Sequence, residues 1–385
     1  MSNGVDILLP TFNVAPTLEE SIESLQRQTV SNVRIIVIDA GSNDGTLEIL
    51  ARLAGKDDRI EVLIKPKSCI VEALNAGLDI CTSEFIARQD ADDISYPSRL
   101  EIERQFLQTH PSCLAVSGAA RHIDEKGRPL GSVVRMPPPE QGDPFWAPSR
   151  EPYLMHPFLM ARRSALQAAG GYRYVYNSED TDLYWRLLER GALHNIDHVL
   201  GDYRMHANSN SARSILNGRI MAMSSQLAAL SARRRQAGRE DIIFPKEMIA
   251  QYRAARTFAG LYELGSRQLD DAESIYLRVS MAAKLLELTA YRPYELDLDD
   301  CRFMRDARRE LDALTPVNRR ELDRFFAGAA ARLAGKGLFR EAGALIPPLL
   351  YFSAGARWAF RALPESLRRF VAHRVARQRA ALGGQ

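Results

Sequence analysis

Short apolar runs alternate with amphipathic stretches over the first half of the chain. "VDILL" ends at Pro10, "VRIIVID" at Asp39 and "RIEVLI" at Ile64, while "EFIARQ" leads into Asp90. Each has the length of a strand, and unbroken apolar character suits a strand covered on both faces. Between these runs the period changes. Leu18, Ile22 and Leu25 fall on one face of a helix spanning residues 17–28, and "TLEILARLA" and "IVEALNAGL" read the same way. Strand–helix alternation predicts right-handed crossovers, hence an α/β fold with a mostly parallel sheet flanked by helices. Ligands of such sheets sit outside the carboxyl ends of the strands. The polar ends "PTFN", "DAGSNDG" and "DADD" are therefore expected to converge on one crevice.

Further along, a helix is expected over residues 99–109, then a strand at "CLAVSG", a turn at "DEKGRP" and a proline-rich loop from Met136 to Pro152. "HPFLMARRSAL" returns to strand and then helix. "SEDTDLYWRLLERG" reads as a helix with a serine cap and a stop at Gly191. From about Ile215 strand signals vanish and helical periods continue to the end. The expected domains are thus an α/β domain over 1–214 and an all-α region over 215–385.

Composition narrows the class. The chain has 385 residues, long enough for two domains, and 51 basic against 48 acidic residues leave a charge of +3. That balance argues against nucleic acid as partner. Cys69, Cys81, Cys113 and Cys301 form no C-x-x-C pair, as expected of a reduced, cytoplasmic chain without a disulfide framework or zinc knuckle. No signal peptide is read at the start. The longest uncharged apolar stretch, Ala342 to Ala356, is short for a bilayer and interrupted by Pro347 and Pro348, so no transmembrane helix is expected. From Arg357 to Arg379 seven arginines stand against one glutamate among aromatic and aliphatic residues. Two readings are open: an amphipathic helix on the anionic inner face of the plasma membrane, or a terminal helix packed on its own domain.

Four motifs carry candidate chemistry. In "QDADD", Asp90, Asp92 and Asp93 crowd together directly after a strand, and such acids repel unless positive charge sits among them. Hard divalent cations take oxygen ligands, and D-x-D on extended chain points both carboxylates one way. The structural alternative is a solvated acidic turn before a helix. In "VIDAGSNDGT", Asp39 ends a strand where its carboxylate can accept a base N–H, whereas Asn43 or Asp44 reads as the cap of the next helix. In "NSEDTDLYWRL", Glu179 and Asp180 occupy a first helical turn, where acids favour the dipole. Asp180 reads alternatively as a general base projecting into the crevice. Asp182 and Arg186, four apart, read as a surface pair. In "YRMHANSNS", His206 is a structural residue, a ligand to the same cation or a pyrophosphate contact. No G-x-G-x-x-G or G-x-x-x-x-G-K-[ST] is present, which argues against dinucleotide and P-loop chemistry.

The ordered set "LLPTFN", "VIDAGSNDGT", "ALNAGL", "FIARQDADDISYPSRLEIERQFLQTHP", "HPFLMARRSAL", "GGYR", "SEDTDLYWRLLERG" and "YRMHANSNS" resembles inverting nucleotide-sugar glycosyltransferases of family 2, which have the Rossmann-like GT-A fold. The resemblance covers roughly Val5 to Ser214. It implies that Pro10, Thr11, Asn13 and Asp39 hold the donor nucleotide. It implies Mn2+ or Mg2+ at the D-x-D pair, with Asp92 the direct ligand and Asp90 nearer the ribose, and Asp180 as catalytic base. Some members use a histidine matching His206 at the metal or diphosphate. Many have two aspartates where this chain has Asp39–Ala40. The implied partners are a nucleotide-sugar donor, UDP being the commonest nucleotide, and a glycan or lipid-linked acceptor. The subgroup resembles bacterial enzymes that build surface polysaccharides. Two other classes stay open: a sugar nucleotidyltransferase, which would need a glycine-rich basic loop after the first strand, and a non-catalytic nucleotide-sugar-binding protein of the same fold.

Overall fold

The computed structural model describes residues 4–205, 214–313 and 315–346. His206 and the basic segment 357–379 lie outside the described residues. Two compact units are present. The first comprises Met1–Arg213 and Ser224–Ala250, the second Ser214–Met223 and Gln251–Gln385.

The first unit is built on one sheet. Its elements run β1 (Val5–Thr11), α1 (Ala15–Gln26), β2 (Val33–Asp39), α2 (Thr46–Ala54), β3 (Ile60–Ile64), α3 (Ile70–Ile80), β4 (Phe85–Arg88), β5 (Ile94–Ser95) and α4 (Arg99–Thr109). They continue with β6 (Cys113–Ile123), β7 (Pro129–Val134), β8 (Met160–Arg162), α5 (Arg163–Ala168), α6 (Glu179–Leu188) and β9 (Ala192–Arg204). Then comes α7 (Ile215–Gln236), which supplies Ser224 onward to this unit. The strand order is β3-β2-β1-β4-β8-β6-β9-β5, with β7 paired to β6. The first four strands in that order are parallel. Beyond β4 the sheet is mixed: β8 is antiparallel to β4 and β6, while β6 and β9 are parallel. This is an α/β sandwich, parallel over its first four strands as the apolar runs predict.

Side-chain alternation explains the unbroken apolar strands. Ile7 and Leu9 of β1, with Ile35 and Val37 of β2, face Leu18, Ile22 and Leu25 of α1. Leu8, Ile36 and Ile38 point the other way, toward Val71, Leu74 and Leu78 of α3. Gly77 permits that approach, since a Cβ there would lie 2.7 Å from Ile38 Cδ1 and 2.8 Å from Leu8 Cδ2. Asp6, buried within the first apolar run, is satisfied by Arg34 at 2.9 Å and by the Thr82 and Ser83 amides at 2.7 and 3.0 Å.

The proline-rich loop is pinned rather than loose. Asn195 of β9 donates to the carbonyls of Pro137 (2.9 Å) and Tyr153 (2.8 Å), so one side chain holds both feet of the loop. Inside it Asp143 and Arg150 pair through their backbones at 2.8 and 3.0 Å, and the Ser149 amide donates to Gln226 Oε1 at 2.9 Å.

The second unit contains helices in its described residues: α8 (Met248–Ala254, whose last residues fall here), α9 (Phe258–Gly265), α10 (Asp271–Leu288), α11 (Leu298–Ala307), α12 (Pro316–Gly335) and α13 (Phe339–Leu345). Asp270 and Asp297 cap α10 and α11, each with a reciprocal acid three residues on. Arg219 is buried against Asp300 at 2.8 Å. No helix of the described residues is long and apolar enough to cross a membrane.

Candidate active site

The carboxyl ends of β1, β2 and β4 lie side by side, because β1 is flanked by β2 and β4 in parallel register. The first two ends are stitched together. The Asp39 carboxylate accepts from Thr11 Oγ1 (2.9 Å), the Gly41 amide (2.9 Å), the Ser42 amide (2.8 Å) and Ser42 Oγ (2.6 Å), and Asp39 has no exposed surface. Asn13, in the left-handed region at φ 52°, accepts from the Asn43 amide at 2.9 Å. Pro10 is half-buried beside them. The residue at the cap of α2 is Gly45 rather than Asn43 or Asp44. Asp44 instead receives the Thr46 amide (3.1 Å) and the Ala15 amide (3.0 Å), joining the two loops.

The D-x-D segment departs from the expected extended chain. Residues 90–93 form a tight turn closed by the Asp93 amide on the Asp90 carbonyl at 3.2 Å. It is the turn, not strand alternation, that gathers the carboxylates of Asp90, Asp92 and Asp93, with oxygens all within 4.8 Å of one another. A buried frame holds it. Gln89 donates to Ser21 Oγ (2.8 Å) and to the Asp93 carbonyl (3.2 Å). Arg99 donates to the Arg88 carbonyl (2.6 Å), Ser95 Oγ (2.9 Å) and Glu103 (3.0 Å), with both members of that ion pair fully buried.

Positive charge among the acids comes from the chain itself. Arg88 is ion-paired with Asp90, and the Arg204 amide donates to Asp93 Oδ1 at 2.8 Å. Asp93 Oδ2 is buried without a partner. Burial and the neighbouring Asp90 and Asp92 push the Asp93 carboxyl well above the usual carboxylate range. Three clustered oxygen donors, one of them an orphan, fit a hard divalent cation such as Mn2+ or Mg2+.

The third wall is the start of α6. Ser178 stands at its N-cap, yet its hydroxyl donates to the Asn177 carbonyl (2.7 Å) and makes no capping bond, correcting the expected serine cap. Glu179 and Asp180 are half-buried there. Asp180 accepts the Thr181 amide at 2.7 Å. Burial raises its pKa, Glu151 adds to the rise, and Arg88 opposes it. Glu179 is pushed up to about 8, first by burial and then by Asp180, with Asp90 also contributing. The structure thus brings the D-x-D turn and α6 within electrostatic reach of each other. Asp182 and Arg186 do pair (2.7 Å), but in the interior, where Arg173 joins them, rather than on the surface.

Further residues of the site come from the quoted motifs, and the weaker histidine candidate, His156, is among them. His156, buried and held neutral by desolvation and by Arg88, meets Tyr172 Oη at 3.0 Å. Tyr172 is fixed by Asn75, which accepts its amide and donates to its carbonyl, both at 2.8 Å. Gly171, at φ 66°, allows this clamp, because a Cβ there would stand 2.6 Å from Asn75 Oδ1. The motifs "ALNAGL", "HPF" and "GGYR" therefore meet in one place. Phe12, 59% exposed between Thr11 and Asn13, is a large apolar surface at the crevice mouth.

Sheets of this kind take their ligands at the carboxyl edge of their parallel strands, and here that edge is rimmed by carboxylates that can hold a hard cation. Residues 6–170 match the family described as glycosyl transferase family 2, a match that stops short of α6. The putative glycosyltransferase EpsE of Bacillus subtilis is 34% identical over 226 residues, 56% of this chain and 78% of that protein. The amylovoran biosynthesis glycosyltransferase AmsE of Erwinia amylovora is 29% identical over 175 residues, 45% of this chain and 65% of that protein. Among solved structures, the mannosyltransferase PcManGT of Pyrobaculum calidifontis, in complex with GDP-Man and Mn2+, aligns with a TM-score of 0.48 at 15% identity, covering 93% of this chain and 88% of that one. The chain belongs to glycosyl transferase family 2 and is a glycosyltransferase.

Proposed function

We propose that the protein moves a sugar from a nucleotide-diphosphate donor to an acceptor hydroxyl with inversion at the anomeric carbon. One observation supports this reading: Arg88, ion-paired with Asp90 of the acidic turn, is also within electrostatic reach of Asp180 at the start of α6, so the turn and Asp180 are neighbours. Asp180 receives the proton of the acceptor hydroxyl as that oxygen bonds to the anomeric carbon. The bond from that carbon to the diphosphate oxygen breaks on the opposite face, and the leaving group keeps the electron pair. An α-linked donor then yields a β-glycoside.

Pro10, Thr11, Asn13 and Asp39 are assigned to the nucleoside end of the donor, with Asp90 near the ribose. Because the four bonds to Asp39 already hold Thr11 to the Gly41–Ser42 turn, its main role would be to shape that pocket. Phe12 offers a face on which a base can stack. Asp92 and Asp90 are the assigned ligands of Mn2+ or Mg2+, with His206 a further one. A bound divalent ion supplies positive charge against the negative charge that develops on the departing diphosphate. UDP is the proposed nucleotide. The proposed acceptor is a glycan or lipid-linked saccharide of bacterial surface polysaccharide, in keeping with the naming of AmsE for amylovoran biosynthesis.

General-base removal is worth about 10²–10⁴-fold. Asp180→Asn is expected to lose at least the lower of these in kcat while calorimetry still detects donor with Mn2+. Normal turnover by that variant, measured with UDP-sugars and oligosaccharide acceptors, would remove Asp180 from its role.

A further inference from the structure

Arg88 is ion-paired into the acidic cluster through Asp90, and the proposed transfer gives it no task. Only 6% of it is exposed. It ends β4 on the face that also carries Ile86, and Ile86 packs in the same core as Tyr172, Leu183 and Tyr184. Its Nη2 is ion-paired with Asp90, whereas Nε and Nη1 are buried without hydrogen-bond partners. Burying a guanidinium with two unpaired nitrogens is unfavourable unless its charge is itself needed.

The surroundings show where that charge acts. Asp90, paired with Arg88, and Asp93 in the turn after β4 lie within electrostatic reach of Arg88, as do Glu179, Asp180 and Tyr184 of α6, where Tyr184 shares the helix face of Asp180 and the core of Ile86. Tyr172 faces it from the segment after α5, His156 from the turn before β8, and Arg99 from α4. The tyrosines are held protonated and the histidine neutral by burial. Arg99 is committed to Glu103. The Arg204 guanidinium is turned to Glu20 (2.7 Å) and the Asp92 carbonyl (2.8 Å). Glu151 adds a further negative charge near Asp180.

We infer that Arg88 is a positioning residue: it fixes Asp90 at the D-x-D turn and supplies the built-in positive charge against which Asp180 stays ionised, a role that rests on Asp180 being the base. An opposite charge nearby moves a carboxyl by about 1–3 pH units. In Arg88→Gln, the acid-side midpoint of kcat against pH, at saturating donor and Mn2+, is expected to rise by about 1 unit or more. Arg88→Lys keeps the charge, and its midpoint is expected to stay with the wild type. Lower activity in Arg88→Gln with an unmoved midpoint would reduce Arg88 to a packing residue and overturn the inference. A rise in Arg88→Lys as large as that expected of Arg88→Gln would overturn it too, even if Arg88→Gln did not fold. Wild-type turnover by Asp180→Asn is the distinct result that removes the base assignment itself.

Discussion

Glu179 and Asp180 are adjacent in the chain, but only Asp180 is proposed as the base. Burial and the charges of Asp180 and Asp90 hold Glu179 protonated to about pH 8, against an ordinary value of 4.5. The folded protein therefore binds this proton more tightly than the unfolded chain does. Its contribution is lost as pH rises from about 4.5 to about 8, so stability declines across that window. Glu103, pushed up to about 7 by burial, acts in the same direction. Replacing Glu179 with Gln removes its share alone. Thermal melts in metal-free buffer should fall less steeply with pH in Glu179→Gln than in the wild type. Parallel curves would show that Glu179 ionises normally.

Among the elements, the turn after β4 is the one whose shape decides the site. It rests on Gln89, Ser95, Arg99 and Glu103, all spelled out in "QDADDISYPSRLEIE". Removing one partner of a buried ion pair costs about 3–5 kcal/mol. Arg99→Ala should cost that much in urea unfolding, and a loss under 1 kcal/mol, at the level of about a surface pair, would contradict the frame described. The positions of the strands and the sharing of one edge by their polar ends could be read from apolar runs and their spacing. What could not be read was long-range. Only the end of β9, "GDYR", reads as strand; "ALHNIDHVL" hides the rest because only its inward residues are buried and its pairing with β6 slips at three points. Ser178 makes no capping bond at α6 because its hydroxyl finds a nearer carbonyl. Arg88 carries no signal of its own, since its meaning comes from neighbours far away in sequence, whereas His156, before Pro157, offers only a weaker form of the ligand signal read at His206.

For the whole molecule, the two units stand differently toward the known family. The family match, residues 6–170, falls within the first unit, and the helices from Gln251 onward lie outside the matched residues. The basic, aromatic stretch at 357–379 follows those helices in sequence. If the acceptor is lipid-linked, that stretch offers attraction to an anionic bilayer of about 1 kcal/mol per basic residue near the surface. Flotation with phosphatidylserine-rich liposomes should recover the full chain better than one ending at residue 346, and the difference should fade at high salt. Equal recovery would end the membrane reading. One small feature matters for anyone wishing to redirect the enzyme. With a single amide grasping both feet of the segment between Pro137 and Tyr153, that segment can be exchanged as a cartridge so long as Ser149, bonded to Gln226 through its amide, and Glu151, near Asp180, are kept. Transplanting the corresponding stretch of a relative, with Asn195, Ser149 and Glu151 untouched, should leave donor hydrolysis near its starting rate and alter which saccharide is glycosylated; unchanged preference across an acceptor panel would show that selectivity is written elsewhere.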